Sequence, residues 1–391
     1  MKIKFGTNFS VEIRSEEMLS GLVLICLGIL QMIKYFALIP VTTANMLIVA
    51  LGGISILLVL FRKGFTGANQ SPIAFILIYS VCGVIGYVYN ANMDMVELFW
   101  PVGYMFLGVF FLNFGIPLKV SKLVYYGVAA VFLVEIIVNG SVNNLVASFS
   151  RNIISVYLLL FFSLMIISCY QHNEKISFLP PILFFAVCFA AVGRGGALLG
   201  AIVLALFLLF DYSKGRPRKR NIILLPVLLV ALGLIIWLLS KVAPDLIEGV
   251  LENFENRGVS SQRYLIWRDY IKKTFSSLAN VLFGASISGT EYLNRYNENL
   301  HNSFLMLHAK YGILMLCAVI IMLIQSFRKF LRHRNYSCIV VFLLMFFRMN
   351  LDYTNFNDCL DVIMIVLLFY DHYPAINGRQ QVERKIPDTI H

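Results

Sequence analysis

The chain is built from apolar runs of about twenty residues, broken once by a long polar stretch, roughly Lys241 to Leu300. A bilayer core of about 30 Å takes about 20 apolar residues per spanning helix, so the pattern constrains the fold to a helical membrane bundle. Twelve runs can be placed, at 18–39, 40–61, 71–90, 95–115, 120–138, 151–170, 176–193, 195–212, 221–241, 301–325, 336–351 and 357–373. With 59% hydrophobic and 14% charged residues over 391 positions and a mean hydropathy of +0.79, a water-soluble globule is excluded. The expected fold is an all-α polytopic membrane protein, one integral membrane domain over 1–391. Residues 242–300 form its extracytoplasmic loop, between the ninth and tenth spans.

Charge sets the expected orientation. A cytoplasmic N-terminus gathers Lys2, Lys4, Arg14, Arg62, Lys63, Lys119, Lys122, Lys175, the basic cluster at 214–220, and Arg328, Lys329, Arg332 and Arg334 on the inside. The tail with Arg379, Arg384 and Lys385 is then also cytoplasmic, as the positive-inside rule requires. The net charge of +11 therefore reports topology. It does not indicate nucleic acid, because the basic residues are split among short turns. Six cysteines lie within apolar runs and Cys359 begins the last, with no disulfide framework or metal-ligand spacing. No removable signal peptide is expected, since residues 1–17 lead into a full-length span. No GxxxxGK[ST] motif or long cytoplasmic segment offers a nucleotide site, so a substrate has to arrive in the membrane.

The polar stretch concentrates the chemistry. It carries Arg257, Arg263, Arg268 and Arg295 and is followed at once by His301, Asn302 and Ser303. Residues 244–256 have the spacing of an amphipathic helix, read as a lid on the bundle. A second helix is expected to start at Ser260 or Ser261 and to run through Arg263, Tyr264, Trp267, Arg268 and Ile271. A cation in its first turn costs about 0.3–1 kcal/mol against the helix dipole. A phosphate held by N-terminal amides and the Arg263 guanidinium would remove that cost. A solvated arginine that tolerates it is the alternative.

Arg194, Gly195 and Gly196 repeat the pattern at the turn between the seventh and eighth spans, where two glycines would let a ligand approach the backbone amides. An arginine snorkelling to headgroups explains the same residues equally well. His301 opens the tenth span, where it is placed to act as a base or neutral donor, against a structural hydrogen-bonding role. His308, about 10 Å deeper, reads as a packing residue. Arg348 and Asp352 have the spacing of an intrahelical ion pair. Asp358 and Asp361 lack metal-ligand spacing, and Lys310 has no evident role.

The Arg-Gly-Gly turn, Ser-Ser-Gln-Arg-Tyr-Leu-Ile-Trp at 260–267, Phe-Gly-Ala at 283–285 and His-Asn-Ser-Phe-Leu at 301–305 together resemble the O-antigen polymerase and ligase superfamily. The motifs cover about residues 190–325, and the architecture covers the whole chain. The resemblance implies a membrane-embedded, type C glycosyltransferase fold in the bacterial plasma membrane, using no metal or cofactor. It implies an undecaprenyl-pyrophosphate-linked oligosaccharide as donor, a glycan hydroxyl as acceptor, and a flippase and chain-length regulator as partners. Carried across by position, Arg194 and Arg263 match the arginines that hold the donor pyrophosphate, and His301 matches the activator of the acceptor hydroxyl. Gly195, Gly196, Arg257, Trp267, Arg268, Arg295, Asn302, Ser303 and Arg348 are the expected substrate contacts around them. The expected activity is polymerisation of lipid-linked repeat units. Ligation of finished glycan to lipid A core is the rival within the superfamily, and transport of lipid-linked sugar is the rival outside it.

Overall fold

The computed structural model describes residues 2–5, 9–12, 15–139, 152–191, 193–211, 216–217, 263–295 and 299–370. The expected span at 221–241, the amphipathic segment 244–256, Arg257 and the cap at Ser260 or Ser261 lie outside the described residues. The fold is helical. Eight helices come first: α1 (Ser15–Tyr35), α2 (Val41–Lys63), α3 (Gly67–Asn90), α4 (Phe99–Phe114, entered through a 3-10 turn at Met95–Leu98), α5 (Leu118–Asn139), α6 (Asn152–Gln171), α7 (Leu179–Ala190) and α8 (Arg194–Leu209). Three short helices follow in the polar stretch, α9 (Arg263–Thr274), α10 (Leu278–Phe283) and α11 (Glu291–Arg295). The last three are α12 (Ser303–Arg332), α13 (Tyr336–Leu351) and α14 (Asp361–Phe369). Two short antiparallel ladders, Lys2–Phe5 with Phe9–Glu12 and Phe210–Asp211 with Arg216–Pro217, complete the described elements.

Among the described residues, seven helices are long and apolar enough to cross a membrane: Ser15–Tyr35, Val41–Lys63, Asn69–Asn90, Met95–Phe114, Leu118–Val138, Asn152–Gln171 and Ser303–Arg332. This is the pattern of a polytopic membrane protein. Four expected spans form shorter helices. Leu179–Ala190, Arg194–Phe207 and Tyr336–Leu351 are apolar but below the length of a straight crossing, and α14 has 9 residues. The helix Tyr336–Leu351 has the bounds expected for its span, while the run expected from 357 becomes helical only at Asp361, after the non-helical residues 352–360.

α6 is the core of the bundle. It is apolar all round, and its side chains from Ile154 to Cys169 are buried. It touches α5, α7, α8, α13 and α14. Lipid gives no hydrophobic drive for helices to associate, so close packing must supply it. The α2–α4 contact illustrates this, because a Cβ on Gly52 would lie 2.2 Å from the Gly103 carbonyl oxygen.

The long helix α12 is broken. Gly312 sits at φ 77°, ψ 178°, outside the helical region. The Ala309 carbonyl, whose helical partner would be the Ile313 N–H one residue beyond the break, accepts instead from Asn90 Nδ2 at 2.9 Å and Asn92 Nδ2 at 2.8 Å. α10 docks into the notch, so a Cβ on Gly312 would lie 2.3 Å from the Leu282 carbonyl oxygen. Gly312→Ala is therefore expected to cost at least about 1–3 kcal/mol, read as a lower unfolding midpoint of the detergent-purified protein. Lys310, beside the break, is buried with its Nζ 3.1 Å from Glu97 Oε2 and 5.2 Å from the centre of the Tyr353 ring. Tertiary pairing thus accounts for a lysine that the sequence leaves without a role.

Residues 352–360 are a largely buried non-helical segment, which a membrane bundle tolerates only where its backbone groups find protein partners. Ser303 Oγ receives the N–H groups of Thr354 and Asn355 at 3.1 and 3.3 Å. Tyr79 donates to the Phe356 carbonyl at 2.9 Å, and Asp361 Oδ1 accepts from the Phe356 N–H at 2.5 Å. Lys34 clamps Asp358 at 2.8 Å. This segment holds the end of α13 against the start of α12.

Candidate functional site

The C-terminal end of α13 is where the predicted residues converge. Helix ends leave carbonyl groups unpaired and carry a partial negative charge, so cations gather there. Arg348, in the last turn, is 1% exposed. Its Nη2 donates to the Asn152 carbonyl at 3.2 Å and reaches Asp352 Oδ2 at 3.5 Å. The Arg263 Nη1 arrives from α9 and donates to the Leu351 carbonyl. His301, just before α12, places Nδ1 3.2 Å from Asp352 Oδ1. One carboxylate is thus shared by an imidazole and a guanidinium, with a second guanidinium one residue away.

The Arg263 guanidinium is not directed only at its own helix start, because the carbonyl end of α13 supplies a protein partner. The unfavourable placement on α9 is offset across the helix–helix contact.

Asp352 is held strongly ionised. Burial pushes its carboxyl up, but the hydrogen bond with His301 and the Arg348, His301 and Arg263 charges outweigh it and bring it from 3.8 to about 2. A lowered value contributes stability that is present above about pH 4 and lost as pH falls through about 2. With the side chain 17% exposed, that contribution is on the order of 2 kcal/mol.

His-Asn-Ser divides its labour. Asn302 caps α12, its Oδ1 accepting from the N–H groups of Phe304 and Leu305 at 3.0 Å. Ser303 donates to the Asp352 carbonyl at 2.9 Å and receives the two N–H groups described above. Asn302 Oδ1 and Ser303 Oγ, on two of the expected substrate contacts, are thus engaged in holding the local fold. His301 is left as the partly exposed member. It stands at φ 48°, with its N–H held by Asn299 Oδ1 at 2.8 Å. Left-handed backbone is uncommon outside glycine and needs such support.

The glycines after Arg194 also serve a different purpose from the one their sequence suggests. A Cβ on Gly195 would lie 3.1 Å from Arg348 Nη1, and one on Gly196 would lie 3.2 Å from Ser155 Cβ. Their missing side chains make room for Arg348 and for α6. Gly195, the second residue of α8, thus lies against the Arg348 guanidinium. Trp267 donates Nε1–H to the Leu300 carbonyl at 2.7 Å, tying α9 to the segment that presents His301. Arg268 is exposed, 3.8 Å from its neighbour Asp269. Arg295 closes α11, and its side chain lies outside the described residues, as does Arg257. His308 is a packing residue, bonded to the Tyr270 hydroxyl at 2.6 Å and the Val281 carbonyl at 2.9 Å.

Sequence reasoning missed Asp352 as the partner of His301. The only signal it carries is its spacing from Arg348, which points to an ordinary ion pair. Asn152 was also missed, since it contributes a backbone carbonyl. A carboxylate behind Nδ1 fixes the imidazole so that Nε2 can take a proton, and guanidinium groups alongside can bind an anion. No family model, curated protein or solved structure matches this chain.

Proposed function

We propose that this protein is an extracytoplasmic polymerase of lipid-linked oligosaccharide repeats, of the O-antigen or capsule type. In this reading the chain crosses the bacterial plasma membrane twelve times with both termini in the cytoplasm. Arg263 and Arg194, backed by Arg348, hold the pyrophosphate of an undecaprenyl-linked glycan at the outer face. The acceptor hydroxyl of the next lipid-linked repeat gives its proton to His301 as its oxygen bonds to the anomeric carbon. The bond from that carbon to the pyrophosphate breaks, and undecaprenyl pyrophosphate leaves with the electron pair. Fixed guanidinium groups stabilise the charge that develops on the leaving group better than mobile water does.

The observation that supports this reading best is the His301–Asp352–Arg348 network, with Arg263 bonded to the adjoining carbonyl. It combines an oriented base with cations at one end of the bundle. Arg263→Ala, in cells lacking the native copy, is expected to leave single repeats on the surface polymer and to lower polymerisation on the order of a hundredfold or more. Normal long chains would remove Arg263 from the mechanism. One observation favours a carrier of lipid-linked sugar instead: α12 is discontinuous at Gly312, with the buried Lys310–Glu97 pair beside the break. Polymer made by purified protein separates the two readings, because a carrier makes none.

A further inference from the structure

An apolar groove of about 520 Å³ runs between α12 and α13, a size within the range of about 300–1,000 Å³ usual for small-ligand sites. Leu323 and Phe327 line one wall and Phe342 and Phe346 the other, while Phe304 and Asn350 close the end nearest His301. The aromatic pairs Phe327–Phe342 and Phe304–Phe346, with ring centres 5.1 and 5.8 Å apart, bridge the two helices along it. Arg328 stands at the opposite end and is the one charged residue in the lining. It is exposed, and among the described residues nothing pairs with it.

The position of the charge decides what fits. A lipid with its phosphate at the outer face would need a cation at the Phe304–Asn350 end. The guanidinium groups by that end are both engaged within the protein, Arg348 with the Asn152 carbonyl and Asp352, and Arg263 with the Leu351 carbonyl. At the Arg328 end, Lys329 and Arg332 follow within a turn, on the side that the distribution of positive charge makes cytoplasmic. Anionic headgroups of that leaflet favour basic residues placed there.

We propose that this groove binds one acyl chain of an anionic phospholipid from the cytoplasmic leaflet, with the lipid phosphate on Arg328. From the functional reading above it takes only the cytoplasmic placement of Arg328. The bound chain packs between the two helices whose outer ends carry His301, Ser303, Arg348 and Asp352, so its presence bears on the spacing of the candidate site.

Native mass spectrometry of the detergent-purified full chain, incubated with phosphatidylglycerol, phosphatidylcholine or undecaprenyl phosphate, tests this without reading any glycan transfer. Phosphatidylglycerol should be retained about fivefold or more over phosphatidylcholine by the unaltered protein. Arg328→Gln should abolish that preference and Arg328→Lys should keep it, while Ile324→Trp, which fills the groove, should lower retention of both phospholipids. Equal retention of the two phospholipids by the unaltered protein would overturn the proposal, whatever the variants do. So would a preference unchanged by Arg328→Gln, or displacement of phosphatidylglycerol by undecaprenyl phosphate that is insensitive to that change. Because no polymerisation is measured, either result leaves the proposed reaction to its own tests.

Discussion

Replacing Arg348 with alanine is expected to destabilise the protein by about 3–5 kcal/mol, the usual cost of removing one member of a buried ion pair. The side chain is 1% exposed and holds the Asn152 carbonyl and the Asp352 carboxylate at once. Its loss leaves Asp352 ionised, largely buried and short of one counter-charge. It also empties the space that Gly195 keeps open. Chemical denaturation of the detergent-solubilised protein should read the loss as a lower midpoint. Arg348→Lys should recover only part of it, because a single ammonium cannot span both partners as the guanidinium fork does. An unchanged midpoint for Arg348→Ala would mean that the network carries little of the fold.

The second large effect concerns turnover. His301→Ala is expected to lower polymerisation by about 10²–10⁴-fold, the range for loss of a positioned general base. Asp352→Asn should approach that loss without touching substrate, because the amide no longer fixes the imidazole through an ionised oxygen 3.2 Å from Nδ1. Both variants should bind the lipid pyrophosphate donor nearly as well as the unaltered protein does. Arg263→Ala should weaken that binding directly. Donor binding measured beside turnover therefore separates the base and its positioning residue from the anion-holding arginine. If His301→Ala turned over normally, the histidine would have only its structural part in the loop.

The long helices were legible because their signal is local. The runs expected at 95–115, 120–138 and 151–170 correspond to Met95–Phe114, Leu118–Val138 and Asn152–Gln171. Apolar residues can be counted along the chain, and the bilayer sets the count. The break in α12 was not legible. A single glycine among thirty mostly apolar residues does not announce a kink, and the donors that make this one tolerable, Asn90 and Asn92, come from more than two hundred residues away.

The site divides in the same way. Arg263 and His301 are conspicuous in sequence because one falls in the first turn of an expected helix and the other opens an apolar run directly after the polar stretch. Their meeting depends on Leu351 and Asp352, 88 and 51 residues distant respectively. The pair at 348 and 352 was visible as an i,i+4 spacing, yet that spacing is silent about the third partner. The glycines at 195 and 196 mark room at a helix start in the sequence, but sequence does not say that Arg348 and Ser155 are the neighbours beside it.

The most direct test of guanidinium groups holding a diphosphate while a glycosidic bond forms is a reaction with purified components. The unaltered protein is incubated with a defined undecaprenyl pyrophosphate oligosaccharide, with chelator and without any nucleotide sugar, and the products are separated by size. A ladder of repeat multiples, absent with Arg263→Ala, is the predicted result. Unchanged single repeats from folded, lipid-supplied protein would contradict it.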